Sequence, residues 1–460
     1  MNESIFRAYS IRGVAGESLT AEDMALIGKA AGTILAESGV STSVVGRDYR
    51  TSSPALAAAL KNGLLATGMD VTDIGPCSTP LLNYATDYYR AGAGMMVTAS
   101  HNPAPYNGLK IRTDRTLRGE KLRRIYDVAM NGQLCHGRGT LTHATPLESY
   151  LESICRRVAM GRPLKVVVDA GNGAAGPFAP RLIDMLGCQA VPMYCQPDGH
   201  FPNRVPDPTA PGALNALSAR VVAEQADAGV GYDGDGDRLA MVDERGAVVF
   251  GDQLLTLLAQ ELLAGGKHPG ARVVYELSCT QALPETVEAL GGQAIPCPVG
   301  YAFVHETMLV TGAVLGGEAA GHLFFAEPDF RFDDALLATA KMLSLLSKTP
   351  LPFSALLAAL PRYHLSPERR FQCPDDVKAD IVAHICDRFV AQGYEIERMD
   401  GAKVHFGDGW GLFRSSNTQP AVTLRCEAKT PARLAEIEQI MLDAARAAMD
   451  GAGIAMTSAH

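Results

Sequence analysis

No two of the ten cysteines form a CxxC pair. They stand apart at 77, 135, 155, 188, 195, 279, 297, 373, 386 and 426, so the close ligand spacing of a structural zinc site is missing and reduced thiols are expected. No run of 18 uncharged apolar residues occurs, which leaves no candidate for a transmembrane helix. The opening MNESIFRAYS lacks the basic-then-apolar layout of a secretory leader, so a cytoplasmic protein is expected. Polybasic stripes are absent too, and 50 acidic against 41 basic residues give a formal charge of -9. That balance disfavours nucleic acid or a membrane surface as partner, and an anionic ligand would need a local basic pocket. Neither a GxSxG elbow nor a GxxxxGK[ST] loop is present, which removes the usual anchors of serine hydrolases and P-loop nucleotidases.

What is present is ordinary globular composition, 47% hydrophobic and 20% charged over 460 residues, long enough for about three compact units at roughly 150 residues each. Three segments repeat one plan of β-branched strand, polar or glycine turn and helix-period stretch: TSVVGRD (42–48), LKVVVDAGNGAAG (164–176) and ARVVYELSCTQAL (271–283). Alternating strands and helices predict α/β units with parallel pairing. After about residue 361 the pattern changes to strand-like AKVHFGDGWGLFRSS and AVTLRCEAK and a helix from Pro431 to about Met449. The expected architecture is three related mixed α/β domains, 1–146, 147–250 and 251–360, plus a smaller α+β domain, 361–460.

Four loops carry chemistry. Asp233-Gly-Asp235-Gly-Asp237-Arg238 places three carboxylates at alternate positions with glycines between. Glycine lets the backbone bend so that all three converge, and hard oxygen ligands suit Mg²⁺. An EF-hand reading fails because its sixth position is Arg238, not glycine, and LAMVDE then reads as a strand. Thr98-Ala-Ser100-His101-Asn102-Pro103 leaves the apolar run GMMV; a serine before an Asn-Pro turn is more often a cap than a nucleophile. Gly317-Glu318-Ala-Ala320-Gly-His322 holds a Glu and a His four apart on a glycine-bounded turn, able to bind hydroxyls and move a proton. Arg414-Ser-Ser416-Asn417-Thr418 combines a guanidinium fork with short polar side chains, the composition of a phosphate cradle.

In this order the four loops resemble the α-D-phosphohexomutase superfamily, and the resemblance extends over FRAYSIRG (6–13), GRDYRTSS (46–53), TASHNPAPYNGLK (98–110), GNGAAG (171–176), PDGHFPN (197–203), DGDGDR (233–238), GGEAAGH (316–322) and RSSNTQP (414–420). The SNT form of the last loop is similar to the bacterial phosphomannomutase/phosphoglucomutase branch. The resemblance implies a phosphoserine at Ser100 and Mg²⁺ held by Asp233, Asp235 and Asp237 with a phosphoryl oxygen on Ser100 as a further ligand. It also implies interconversion of hexose 1- and 6-phosphates of the glucose or mannose type, through a hexose 1,6-bisphosphate that turns around in one site. Arg12 and Arg238 would steady the transferring group, Lys110 would be the base and His322 an acid or base on the opposite side. Tyr9, His101, Tyr301, Glu318, Ala320, Arg414, Ser416, Asn417 and Thr418 would contact the phosphosugar, and the protein would be a monomer or dimer.

Four residues depart from the family's pattern: Ser10 for Asp, Ser278 for Lys, Tyr301 for His and Ala320 for Ser. The last three concern the sugar side, which opens an amino, acetamido or otherwise modified hexose phosphate as the alternative substrate. A rival from another class is a dinucleotide-binding oxidoreductase, since Gly171-x-Gly173-x-x-Gly176 follows a strand with Asp198 further on. That reading leaves the other loops unexplained. A non-catalytic sugar-phosphate binder would need neither Ser100 nor the Asp cluster.

Overall fold

The computed structural model describes residues 1–266, 268–416 and 420–457. Its chain forms two compact units, Met1–Leu254 with Ala320–Leu356, and Leu255–Ala319 with the residues from Leu357 onward.

The first unit contains two mixed sheets. In one, the strand order is Ile11–Val14, Tyr106–Arg112, Ala93–Val97, Thr42–Arg47, Asp70–Pro76, Leu141–His143. Thr42–Arg47 pairs in parallel with Ala93–Val97 and Asp70–Pro76, as its β-branched run and following helix Ser53–Leu65 predict. Tyr106–Arg112 instead runs antiparallel to both its neighbours. The connection 98–105 is too short to hold a crossover helix, so the chain has to reverse there. Val45, Met95 and Ile111 face the helices Ala21–Glu37, Ser53–Leu65 and Glu120–Asn131 in one buried core. The second sheet repeats the arrangement: Lys165–Asp169 lies in parallel between Gln189–Met193 and Ala228–Tyr232. Ala228–Tyr232 then forms an antiparallel hairpin with Leu239–Asp243, Tyr232 opposite Leu239, which makes 233–238 the connecting turn.

In the second unit, Arg272–Glu276 pairs in parallel with Gln293–Cys297 and Leu315–Gly317. The C-terminal sheet is antiparallel, with Ala421–Ala428 and Gly409–Ser415 at its centre and the helices Lys378–Ala391 and Pro431–Gly451 on its core. The last helix starts where the sequence places it: the Thr430 side chain accepts the Arg433 backbone N–H and Pro431 fills the first turn. Buried Glu427 ties the C-terminal sheet to the preceding segment, accepting Trp410 Nε1–H at 2.7 Å, the Gln281 N–H at 2.8 Å and the Thr280 hydroxyl. Three donors offset the desolvation of that carboxylate, which a single one would not.

Candidate active site

Each strand reversal in the first unit delivers one reactive loop. Ser100 lies between Ala93–Val97 and Tyr106–Arg112 and caps no helix, since the next one begins at Glu120. Its φ of +50° is left-handed, a conformation that costs a non-glycine residue about 1–3 kcal/mol and clusters at functional sites. The Ser100 hydroxyl donates to Asp233 Oδ2 at 2.8 Å and lies 3.4 Å from His101 Nδ1. The two loops touch because residue 234 is glycine: a Cβ there would lie 2.4 Å from the Ser100 carbonyl oxygen.

All three aspartates are fully buried. Asp233 Oδ1 accepts the backbone N–H groups of Gly236, Asp237 and Arg238 and so closes the turn on itself. Asp235 Oδ2 accepts from the Thr79 hydroxyl at 2.6 Å and from Lys110 Nζ at 2.7 Å, and Lys110 also reaches Asp237 Oδ2 at 2.5 Å. Burial, with the charges of Asp235 and Asp237, pushes the Asp233 carboxyl well up. Burial and Asp235 likewise raise Asp237. Against the same burial, Lys110 and the hydrogen bonds hold Asp235 well down. One ammonium therefore serves two of the three carboxylates, and Asp235 Oδ1 and Asp237 Oδ1 remain buried with no hydrogen-bond partner among the described residues. Converging carboxylate oxygens, one from each residue within 4.8 Å of the others, fit a hard divalent cation.

Arg12 comes from the strand Ile11–Val14, and Arg238 is the last residue of the acidic turn itself. Arg12 donates to the Asn102 side chain at 3.2 Å and, through Nε, to Ser10 Oγ at 3.2 Å. A neutral hydroxyl thus stands where the family pattern has a carboxylate. Arg238 Nε donates to His322 Nε2 at 2.8 Å, while His322 Nδ1 lies 2.6 Å from Asp333 Oδ2. With Nε2 accepting, a neutral imidazole carries its proton on Nδ1, the nitrogen that faces Asp333. His322 and Asp333 are both buried. No sequence motif marks Asp333; its neighbour Asp334 caps the helix Ala335–Ser347, accepting the N–H groups of Leu336 and Leu337. Tyr9, His101 and Ala320 belong to this unit and are half-buried.

The second unit holds the remaining residues. Glu318 Oε1 accepts the Gly300 N–H at 2.8 Å, which fixes it beside Tyr301, the first residue of the helix Tyr301–Thr311. The Ser278 hydroxyl donates to buried Glu276 at 2.7 Å, and Glu276 also accepts the Ala319 N–H at 3.1 Å. Arg414 Nε donates to Asp400 Oδ2 at 2.8 Å, and the same oxygen accepts the Val299 N–H at 2.9 Å. Arg414 Nη2 is buried with no partner among the described residues, a donor able to take an anion. Ser416 is buried, and its carbonyl accepts from Lys378 Nζ at 2.8 Å. Lys378 and Asp400 are therefore neighbours of the cradle that no motif marked. Asn417 and Thr418 lie outside the described residues.

The glycine loop 171–176 has a different task from nucleotide binding. A Cβ at Gly173 would lie 2.9 Å from the Gly234 carbonyl oxygen, and that same oxygen accepts the Ala174 N–H at 3.0 Å. This loop buttresses the acidic turn.

Known proteins share this plan. The family description "Phosphoglucomutase/phosphomannomutase" matches as α/β/α domain I over 3–133, domain II over 148–246 and domain III over 250–363, and as its C-terminal domain over 369–444. The phosphomannomutase/phosphoglucomutase of Pseudomonas aeruginosa is 39% identical over 95% of this chain and 94% of its own. A phosphoglucomutase of Neisseria gonorrhoeae is 36% identical over 95% and 96%. The crystal structure of a phosphoglucomutase/phosphomannomutase family protein from Burkholderia thailandensis superposes with a TM-score of 0.90 at 36% identity, covering 100% of this chain and 99% of that one. Fold and loops together define an isomerase of the mutase class. The chain belongs to the phosphoglucomutase/phosphomannomutase family. Among the described residues, no helix is long and apolar enough to cross a membrane.

Proposed function

We propose that this mutase interconverts hexose 1-phosphate and hexose 6-phosphate of the glucose or mannose type through a phosphoserine at Ser100 and a hexose 1,6-bisphosphate. The observation that carries the reading is the Ser100 hydroxyl, in a left-handed backbone and 2.8 Å from the first carboxylate of a buried acidic turn. The loops are assigned to domains 1–146, 147–250, 251–360 and 361–460, one loop each.

Asp233, Asp235 and Asp237 are the residues that would hold Mg²⁺, which when bound supplies neutralisation of charge on phosphoryl oxygens. In the first half-reaction the Ser100 Oγ–P bond breaks as a bond forms from phosphorus to a sugar hydroxyl oxygen. The proton of that hydroxyl passes to Lys110 in its neutral amine form, released from its bonds to Asp235 and Asp237, and His322 is the acid or base on the opposite side. Arg12 and Arg238 balance the charge of the group in transit. After the bisphosphate turns around, its other phosphate returns to Ser100 and the second isomer leaves. Such chemistry is mostly positioning plus charge neutralisation. Because the distal phosphate belongs to a different ring carbon in each half-reaction, the cradle of Arg414, Ser416, Asn417 and Thr418 has to read phosphate, not ring. Glu318, with Tyr9, His101, Tyr301 and Ala320, contacts the sugar. An assay of hexose 1-phosphates with Mg²⁺ and a trace of hexose 1,6-bisphosphate, reading out the 6-phosphates, tests the whole proposal; no turnover of any hexose phosphate rejects it.

Arg414→Ala removes the fork whose Nη2 has no partner among the described residues. Loss of hydrogen bonds to a charged group, about 1.5–3 kcal/mol, should raise KM roughly 10- to 100-fold. The increase should appear for both the 1- and the 6-phosphate. A defect confined to one isomer would contradict a shared cradle.

The sugar side favours a second substrate reading. Ser278 has its hydroxyl engaged by Glu276, and Ala320 offers no hydroxyl. Sites built around a hydrogen bond discriminate strongly for the group that makes it. The protein is therefore expected to use some modified hexose phosphate better than glucose or mannose 1-phosphate, and Tyr301→His with Ala320→Ser to improve the glucose or mannose reaction. The kcat/KM ratio among sugars in both proteins measures this. An unchanged ratio, with ordinary glucose activity in the unaltered protein, makes these departures neutral.

A further inference from the structure

Two sequence segments that resemble the family, GRDYRTSS (46–53) and PDGHFPN (197–203), have no part in the reaction described so far, yet the structure packs them together directly behind the serine loop. Arg50 is 1% exposed, and all five of its guanidinium N–H groups have acceptors. Nη2 donates to the carbonyls of Ser100 at 2.7 Å and Asn102 at 2.6 Å. Nη1 donates to those of Pro103 at 2.7 Å and Tyr106 at 3.0 Å, and Nε to Asp48 Oδ2 at 3.1 Å. Its face lies over the Phe201 ring, 5.0 Å from the centroid. Gly199 lets the segment come this close, since a Cβ there would lie 2.8 Å from the Arg50 Cα.

Four carbonyls from one short loop converge on one planar fork, and such convergence fixes the loop's curvature. A second arm holds the other side of the same peptide. Asp48 Oδ2 accepts the Thr98 hydroxyl at 2.7 Å, and Thr98 Oγ1 accepts the Ser100 N–H at 2.9 Å. The carbonyl and the N–H of Ser100 are thus both fixed by groups that trace back to Asp48 and Arg50. This is the residue in the disfavoured left-handed region, with its hydroxyl aimed at Asp233. Isolated peptides do not keep a serine there.

We infer that Arg50 is a positioning residue for phosphoryl transfer: it holds Ser100 in its left-handed conformation so that Oγ stays in line with the acidic turn in both half-reactions. The inference rests on the phosphoserine reading above. Lysine cannot replace the fork, because an ammonium presents three donors without the planar spread that reaches four carbonyls and a carboxylate. A displacement of about 1 Å at a reacting atom can lower a rate by about 100-fold.

The test uses the full chain, freed of phosphate and mixed with radiolabelled glucose 1,6-bisphosphate and Mg²⁺ in a rapid-quench instrument, in unaltered, Arg50→Lys and Thr98→Val forms. Labelling of Ser100 and kcat should fall by about 100-fold in Arg50→Lys, and by about 10-fold in Thr98→Val, which loses only one hydrogen bond. KM for hexose phosphate should stay within a factor of about two, because neither residue is among those assigned to phosphosugar binding; a merely structural role would lower the active fraction without slowing the labelling rate per folded molecule. Labelling of Arg50→Lys within threefold of the unaltered protein overturns the inference, as does unaltered labelling of Thr98→Val should Arg50→Lys fail to fold. No label on Ser100 of the unaltered protein overturns the phosphoserine reading itself, and the inference with it.

Discussion

Ser100→Ala protein is expected to carry no phosphate and to lose turnover by roughly 10⁴-fold or more, the scale on which a covalent nucleophile's removal is felt. The alternative carriers of a phosphoryl group are poor ones here. His101 Nδ1 lies 3.4 Å from Ser100 Oγ, farther than the Asp233 carboxylate at 2.8 Å, and it does not share the hydrogen bond that aims Oγ at Asp233. Folding should survive, since the hydroxyl makes one bond to an aspartate that keeps three backbone N–H donors on its other oxygen. Mass spectrometry of the peptide containing residue 100 checks the first part, and a coupled assay the second. Full activity of Ser100→Ala would remove the serine from the reaction.

Asp235→Asn should lower kcat by about 30- to 1,000-fold, equivalent to about 2–4 kcal/mol of charge stabilisation. Its divalent-metal affinity, read by calorimetric titration with Mg²⁺ or by the electron-spin signal of Mn²⁺, should fall in parallel. The metal-free protein should react differently. The Asp235 charge raises the Asp233 and Asp237 carboxyls by repulsion, and an amide of the same shape relieves that repulsion while leaving Lys110 its bond to Asp237. The thermal midpoint without metal should therefore drop by no more than about 3 °C, a change worth about 1 kcal/mol in a unit of roughly 150–250 residues. A variant that binds Mg²⁺ as tightly as the unaltered protein, or an unaltered protein whose rate ignores chelation, would contradict the metal assignment.

Local features of the chain were legible without coordinates. Val44-Val45, Val166-Val167-Val168 and Val273-Val274 lie in the strands Thr42–Arg47, Lys165–Asp169 and Arg272–Glu276 because β-branching and continuous burial are properties of a few adjacent residues. The acidic turn was legible for the same reason: three carboxylates and two glycines within six positions leave a short hairpin connection as their natural place. The helix Pro431–Gly451 announces its own start through Thr430 and Pro431.

What those loops meet was decided only by tertiary structure. Lys110 reaches Asp235 and Asp237 across more than a hundred residues, and its strand runs antiparallel where alternating elements alone predict parallel pairing. Asp333 becomes the partner of His322, Asp400 fixes Arg414, and Arg50 gathers carbonyls from residues 100, 102, 103 and 106. Asp333 and Asp400 are side chains of common type in stretches that no motif marks, Lys110 and Arg50 stand in segments that resemble the family, and the contacts of all four depend on which segments the sheets bring side by side. Periodicity and turn chemistry are encoded within a few residues. The meeting of distant charges is set by strand order and by the burial that makes an unpaired group costly, and neither leaves a mark at the residue itself.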